Sequence, residues 1–362
     1  MDTLLAIDLG TSSTRAALYY AADATPVPGV FAQRQHTPTI TPDGGATLDP
    51  DALVQEVREC IAEALAEAPA GTRILGAGLS GFWHSAVGID EKGDAQTSVL
   101  LWSDTRSALQ VARFKKERPD LPGITGCPWH SSYLYGRLTW LQETQPDVFS
   151  RCWRFISPPG YVMGKLFGFA GLQESPSMAS ASGLWDQTAQ QWLPEWEHRM
   201  FPVGDSPLGT DFPWFPAIGD GAASSAGAGA VRPDRLALMI GTSGALRAFG
   251  TRGTGMPTRP EGLWRYQLAS DWFALGGGLT NGGSLWAWLE KTLNLGEITP
   301  AEPDAHGLTI LPFLSGERAP LWRDDLFGAI VGLSGSTTPE DIAYAHLEAV
   351  AYRFVAVRDL LR

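Results

Sequence analysis

The sequence predicts an α/β protein of two lobes, on three observations. An apolar strand runs into Gly-Thr-Ser twice, once through Asp8-Leu9-Gly10-Thr11-Ser12-Ser13 and again through Met239-Ile240-Gly241-Thr242-Ser243. Between the two copies a single acid stands between glycines, Gly219-Asp220-Gly221, and opens a stretch of Ala, Ser and Gly that runs to Ala230. Strand, helix and strand patterns then alternate in the first ninety residues, the rhythm of an α/β domain. At 362 residues the chain is long for one core and suits two.

Each Gly-Thr-Ser leads into a second apolar run, Thr14 to Tyr19 in the first copy and Gly244 to Phe249 in the second. Both therefore read as hairpins with tips of small and hydroxyl-bearing residues. Glycine lets the backbone approach a ligand, and turn amides with Thr and Ser hydroxyls supply the donors a phosphate requires. Two such tips in two halves suggest lobes closing on one polyphosphate.

Asp49-Pro50 then starts a helix, with Asp49 as N-cap and Pro50 in the first helical position. Leu53, Val57, Ile61 and Leu65 recur every fourth residue along it and mark an apolar face. Arg73 to Ser80 and Ala86 to Asp90 follow as strands. From Asp104 to Gly183 the pattern is mostly helical, and from Leu184 to Pro216 it is rich in Trp and Pro and reads as irregular. The boundary of the lobes falls near Val231-Arg232-Pro233-Asp234, dividing the chain into 1–232 and 233–362. Beyond it, Trp264 to Leu268 and Trp272 to Leu275 read as strands, Gly276 to Gly283 opens the helix Leu285 to Leu289, and Ile342 to Arg362 is helical.

Composition narrows the function. With 44% hydrophobic and 18% charged residues the chain is an ordinary soluble globular protein, and a net charge of −12 argues against a nucleic-acid partner. Cys60, Cys127 and Cys152 are three, at unrelated spacings, so reduced thiols and a cytoplasmic location are expected. Asp8 interrupts the first apolar run too early for a signal peptide, and no later run suits a membrane span. Rival nucleotide motifs fail: Gly160 to Lys165 is one residue short of a P-loop and is followed by Leu166, and Gly276-Gly277-Gly278 meets Asn281 where a dinucleotide fingerprint needs its third glycine.

The ordered set Asp8 to Ser12, Gly219-Asp220-Gly221 and Gly241-Thr242-Ser243 resembles the FGGY carbohydrate kinases of the actin-like ATPase superfamily. Trp102-Ser103-Asp104-Thr105-Arg106, Gly316-Glu317-Arg318-Ala319-Pro320 and Gly328 to Leu333 ahead of His346 to Tyr352 fit the same resemblance, which covers nearly the whole chain. It implies a two-lobed actin-like, ribonuclease H-like fold with ATP and Mg²⁺ as cofactors. In the family a further helix-rich stretch carries a Gly-rich loop against adenine. Nothing here corresponds to it, so the expectation is a second lobe that is truncated.

The resemblance also assigns roles. Gly10, Thr11, Ser12 and Ser13, with Gly241, Thr242 and Ser243, bind the phosphates. Asp8 holds Mg²⁺ through water, or else caps its own turn. Asp220 is the base that accepts the sugar hydroxyl proton, a role compatible with capping its helix. Trp83 and His84 stand where the family contacts substrate, against the alternative of a core Trp and a buried His. Asp104 and Arg106 read hydroxyls and an acid group, or form a local salt bridge. Thr125-Gly126-Cys127, His130, Tyr133 and Ser177 to Asp186 look most like the gluconate kinase branch. The expected reaction is phosphorylation of gluconate at its primary hydroxyl to give 6-phosphogluconate. A xylulokinase-like pentulose kinase and a non-catalytic sugar-binding or regulatory protein are the alternatives. A small-molecule partner is expected, without nucleic acid or membrane, and a homodimer is left open.

Overall fold

Side-chain alternation builds the first sheet. Along Asp2–Leu9 the side chains of Leu5, Ile7 and Leu9 are buried, whereas Leu4, Ala6 and Asp8 point to the opposite face. The computed structural model describes residues 1–209, 211–232, 234–251, 259–269, 271–296, 298, 302–323 and 325–362. Five strands lie side by side in the order Trp214–Gly219, Arg73–Gly81, Asp2–Leu9, Ser13–Tyr20 and Pro26–Gln35. The first hairpin is antiparallel, while Arg73–Gly81 runs parallel to both Asp2–Leu9 and Trp214–Gly219. Leu9, Gly81 and Gly219 therefore stand in one row, and three strands end at the same edge.

The pairing contains one irregularity. Thr3 faces Ile74 but Leu4 faces Gly76, so Leu75 is an extra residue in the Arg73–Gly81 strand. Beyond it, Asp8 faces Ser80.

Helix Pro50–Ala66 covers the inner face of this sheet. Asp49 caps it, its side chain accepting from the amides of Asp51 and Ala52, with Pro50 in the first helical turn. Its buried face is Leu53, Val54, Val57, Cys60 and Ala64, and Leu65 is exposed. The expected stripe of every fourth residue is corrected here. A step of four overshoots a 3.6-residue turn by about 40°, which carries Leu65 roughly 120° away from Leu53.

The chain divides into two units, one of Met1–Gly227 with Tyr266–Trp272 and one of Ala228–Arg265 with Phe273–Arg362. Pro233, in the stretch expected to separate the lobes, lies outside the described residues. A linear division at 232/233 leaves Tyr266–Trp272 on the other side. That segment is bound to the first unit through Ser180, whose Oγ donates to the carbonyl of Gln267 at 2.8 Å and accepts from its amide at 2.9 Å. The Trp-rich stretch is ordered by burial: Trp185, Trp192 and Trp196 join Leu138, Leu141 and Phe155 in one core cluster, with a short strand pair Trp185–Asp186 and Gln191–Trp192.

A four-stranded sheet, formed mostly by residues of the second unit, has the order Leu236–Ile240, Gly244–Thr251, Trp272–Leu279 and Trp264–Gln267. Gly276, Gly277 and Gly278 lie inside the Trp272–Leu279 strand, and the helix begins at Gly283, so they do not open it as expected. Packing explains these glycines: a Cβ on Gly276 would stand 2.5 Å from the carbonyl oxygen of Leu246, and one on Gly277 would stand 2.7 Å from Cβ of Ala319. Helix Pro339–Leu360 starts at a capping box in which Thr338 and Asp341 each bond the other's amide. Among the described residues no helix is long and apolar enough to cross a membrane.

Candidate active site

The shared strand edge collects the chemistry of the first unit. Asp8 and the Gly10-Thr11-Ser12 tip end one strand, Trp83 and His84 follow the next, and Gly219-Asp220 ends the third. Two strand spacings separate the strands of Asp8 and Asp220, about 10 Å in the hydrogen-bonding direction. Ligands of open α/β sheets bind beyond the carboxyl ends of such strands.

Asp8 is held from two sides. Ser80 Oγ donates to its Oδ1 at 2.7 Å and Arg15 Nη1 donates to its Oδ2 at 2.8 Å, and the Asp8 side chain is 40% exposed. These bonds run across the sheet, so the alternative that Asp8 caps its own turn is not what the structure shows. A half-exposed carboxylate of fixed orientation is a hard oxygen donor, and a single such group fits a Mg²⁺ that keeps most of its waters.

The first tip is closed by Gly10, whose amide donates to the carbonyl of Ser13 at 3.0 Å. Its outer side is braced by His36, with Nε2 at 3.1 Å from the carbonyl of Gly10 and Nδ1 at 2.8 Å from Glu56 Oε2. Both partners accept only, so the two bonds form together when both ring nitrogens carry protons. Thr14 Oγ1 donates to the same Glu56 oxygen at 2.8 Å. Ser13 is 2% exposed and is part of the strand, so its side chain is not presented at the tip.

Asp220 is exposed at the first position of helix Asp220–Gly227, and its Oδ1 accepts from the amide of Gly221 at 2.6 Å. One side chain thus bonds the amide beside it and stays exposed to solvent near the positive end of the helix. His84 takes a left-handed backbone conformation, φ 59°, which non-glycine residues adopt at a cost and which clusters at functional sites. Its Nδ1–H donates to the carbonyl of Ala181 at 2.5 Å, which makes Nε2 the acceptor of the neutral ring. Tyr266 OH lies 3.4 Å from that Nε2 and 2.7 Å from Tyr133 OH.

Trp83 is a correction. At 5% exposed it does not present a face to a sugar, and its Nε1–H donates to the carbonyl of Ser177 at 3.1 Å. Asp104 is corrected likewise. It is 0% exposed, with Arg106 Nη2 at 2.5 Å and Nε at 3.1 Å from its oxygens, and Arg106 stacks on Trp140 at 4.1 Å. The local pair is the reading that geometry gives, because a buried carboxylate without a cation beside it is costly.

The second tip is held from behind. The amides of Gly283 and Ser284 donate to the carbonyls of Gly241 and Thr242 at 2.6 and 3.0 Å, and Gly241 donates to Ser243 at 2.8 Å. A Cβ on Gly283 would stand 2.8 Å from the carbonyl oxygen of Gly241, so only glycine fits. Gly241 and Thr242 are exposed.

Residues 3–201 match the N-terminal domain of the FGGY family of carbohydrate kinases, and residues 236–361 match its C-terminal domain. The chain belongs to the FGGY family of carbohydrate kinases. This FGGY kinase is 28% identical to the gluconokinase of Bacillus licheniformis over 397 residues, 98% of this chain and 76% of that protein. It is 28% identical to the xylulose kinase of Streptomyces rubiginosus over 403 residues, 99% of this chain and 76% of that protein. The fold matches a ligand-bound xylulose kinase from Lactobacillus acidophilus with a TM-score of 0.90 at 24% identity, covering 100% of this chain and 78% of that one. A gluconate kinase from the same organism matches with a TM-score of 0.89 at 23% identity, over 99% of this chain and 78% of that one.

Ser80, His36 and Glu56 were not read from the sequence as site residues, and Ser177 was read only as the head of a segment resembling the gluconate kinase branch. Asp304, His306 and Glu348, a further cluster with metal-ligand chemistry, are also new. The amide of Leu308 donates to His306 Nδ1 at 3.0 Å, so the proton of the neutral ring sits on Nε2, 3.3 Å from Glu348 Oε2. That nitrogen has no lone pair for a metal, and the cluster is closed as a hydrogen-bond network.

Proposed function

We propose that this carbohydrate kinase transfers the γ-phosphate of ATP to the primary hydroxyl of gluconate, giving 6-phosphogluconate. The observation that carries the chemistry is the exposed carboxylate of Asp220, on the same strand edge as Asp8 and His84. Asp220 accepts the hydroxyl proton as the oxygen attacks phosphorus in line. The amides and hydroxyls of Gly10, Thr11 and Ser12, and those of Gly241, Thr242 and Ser243, donate to the phosphates of ATP. Asp8 would hold Mg²⁺, which neutralises phosphate charge when bound. His84 accepts from a sugar hydroxyl through Nε2.

Similarity to gluconokinases over 98% of this chain supports gluconate. Asp104 engages Nε and Nη2 of Arg106, so Nη1 is the edge this guanidinium offers a substrate carboxylate. Xylulose kinases are similar as well, and a pentulose is the second reading. Steady-state assays with gluconate and D-xylulose decide between them, and kcat/KM for gluconate should be the higher by tenfold or more. Arg106→Leu should weaken gluconate far more than xylulose, because only the acid leaves a charge unpaired. A preference for xylulose, or no turnover of either sugar, rejects the gluconate reading.

A further inference from the structure

Gly219 is the softest joint in the chain beside Asp220, since glycine has the widest backbone freedom of any residue. Two contacts remove that freedom. On one side the indole of Trp83 occupies the place of a side chain, for a Cβ on Gly219 would stand 1.8 Å from Trp83 Cε2. On the other side the amide of Gly219 donates to Ser177 Oγ at 3.0 Å. The Trp83 Nε1–H donates to the carbonyl of the same serine at 3.1 Å, and Ser177 is 1% exposed.

Ser177 is itself firmly placed. It lies in the short helix Pro176–Ser180, whose cap Ser175 accepts from the amide of Met178 at 3.1 Å. Buried Glu174 ties that cap to the start of the helix Pro158–Phe167, accepting from the amides of Ser175 and Ser157 at 3.0 and 2.8 Å. One serine thus links a rigid turn, the residue before His84 through its carbonyl, and the residue before Asp220 through its hydroxyl.

We infer that Ser177 is a positioning residue for Asp220, acting through the amide of Gly219 and braced by the indole of Trp83. The inference rests on the reading of Asp220 as the base. A base must meet the hydroxyl proton at hydrogen-bond distance, and a misplacement of about 1 Å costs on the order of 100-fold in rate. Ser177→Ala removes the acceptor and lets the Gly219 peptide rotate, which moves Asp220 while leaving His84 bonded to Ala181.

The test compares kcat and sugar KM for the full chain with Ser177→Ala, Ser177→Thr and Asp220→Asn, using gluconate and D-xylulose as acceptors. Ser177→Ala should lower kcat roughly 10- to 100-fold with KM within about twofold, and Ser177→Thr, which keeps the hydroxyl, should restore kcat to within about threefold. Where the alanine variant does not fold, Ser177→Cys replaces it, with a weak acceptor of similar size and an expected kcat loss of about fivefold or more. A folded Ala or Cys variant with wild-type kcat overturns the inference, as does a parallel loss of kcat and sugar affinity. Asp220→Asn at wild-type kcat overturns the base reading and this inference with it. An inactive Asp220→Asn beside a fully active Ser177→Ala overturns the inference alone.

Discussion

Ser80 Oγ donates to Asp8 Oδ1 at 2.7 Å, from the residue that faces Asp8 across the parallel pairing of two strands. The bond fixes the rotamer of the carboxylate, and Arg15 takes the other oxygen. Ser80→Ala removes one hydrogen bond worth about 1 kcal/mol, so kcat should fall about fivefold at saturating ATP and Mg²⁺. Asp8→Asn should fall by a much larger factor. Equal effects of the two changes would show that Ser80 does more than orient Asp8.

His36 supports the first tip from outside, between Gly10 and Glu56. His36→Ala should raise KM for ATP about five- to tenfold and leave KM for the sugar unchanged, because the tip loses its brace and the sugar contacts do not. His36→Ala and Glu56→Gln should combine with less than additive effect, since each breaks the same link. Additive losses would separate the two residues.

Two ion pairs of the first unit should behave oppositely. Asp104 is wholly buried beside Arg106, and its removal strands a cation whose side chain is 14% exposed. Asp104→Ala should cost about 3 kcal/mol or more in urea unfolding. Arg73 and Asp2 form a pair with side chains 70% and 47% exposed, and Arg73→Ala should leave the unfolding midpoint within error of wild type.

His346 gives a pH dependence. It is 3% exposed, its Nδ1–H donates to the carbonyl of Ile342 at 2.7 Å, and burial holds its pKa below the ordinary value of 6.5. Below that value the unfolded chain gains a proton that the folded one resists. Stability is therefore fully present above about pH 6.5 and declines as pH falls toward the folded-state value. His346→Gln should flatten that slope in urea melts at pH 7.5 and 5.5, and an unchanged slope would place the effect on other groups.

Local patterns were legible where the cause is local. An apolar alternation broken by Gly-Thr-Ser gave both hairpins, and Asp49-Pro50 gave the start of a helix, because capping and turn chemistry act within four residues. The orientation of neighbours was not legible. Trp83 and His84 follow the same strand, and the left-handed backbone of His84 separates a buried indole from a half-buried imidazole. Ser177 lies 94 residues from Trp83 and 42 from Gly219, so its link to them is a property of the folded sheet. The same holds for His36 and Glu56, which meet across 20 residues.

The extra residue at Leu75 acts as a phase shift in the strand. Were Leu75 paired in regular step with Leu4, Asp8 would meet Leu79 in place of Ser80, and every residue after it would change faces, since pairing has a period of two. Leu75 is five residues from Ser80, about 17 Å along an extended strand. The alignment of the chemistry is thus set by a backbone event far from any substrate. Pairing Leu75 in step with Leu4, with no catalytic side chain altered, would leave the carboxylate of Asp8 facing an aliphatic neighbour, whereas deleting Leu75 would remove the extra residue and keep Asp8 opposite Ser80.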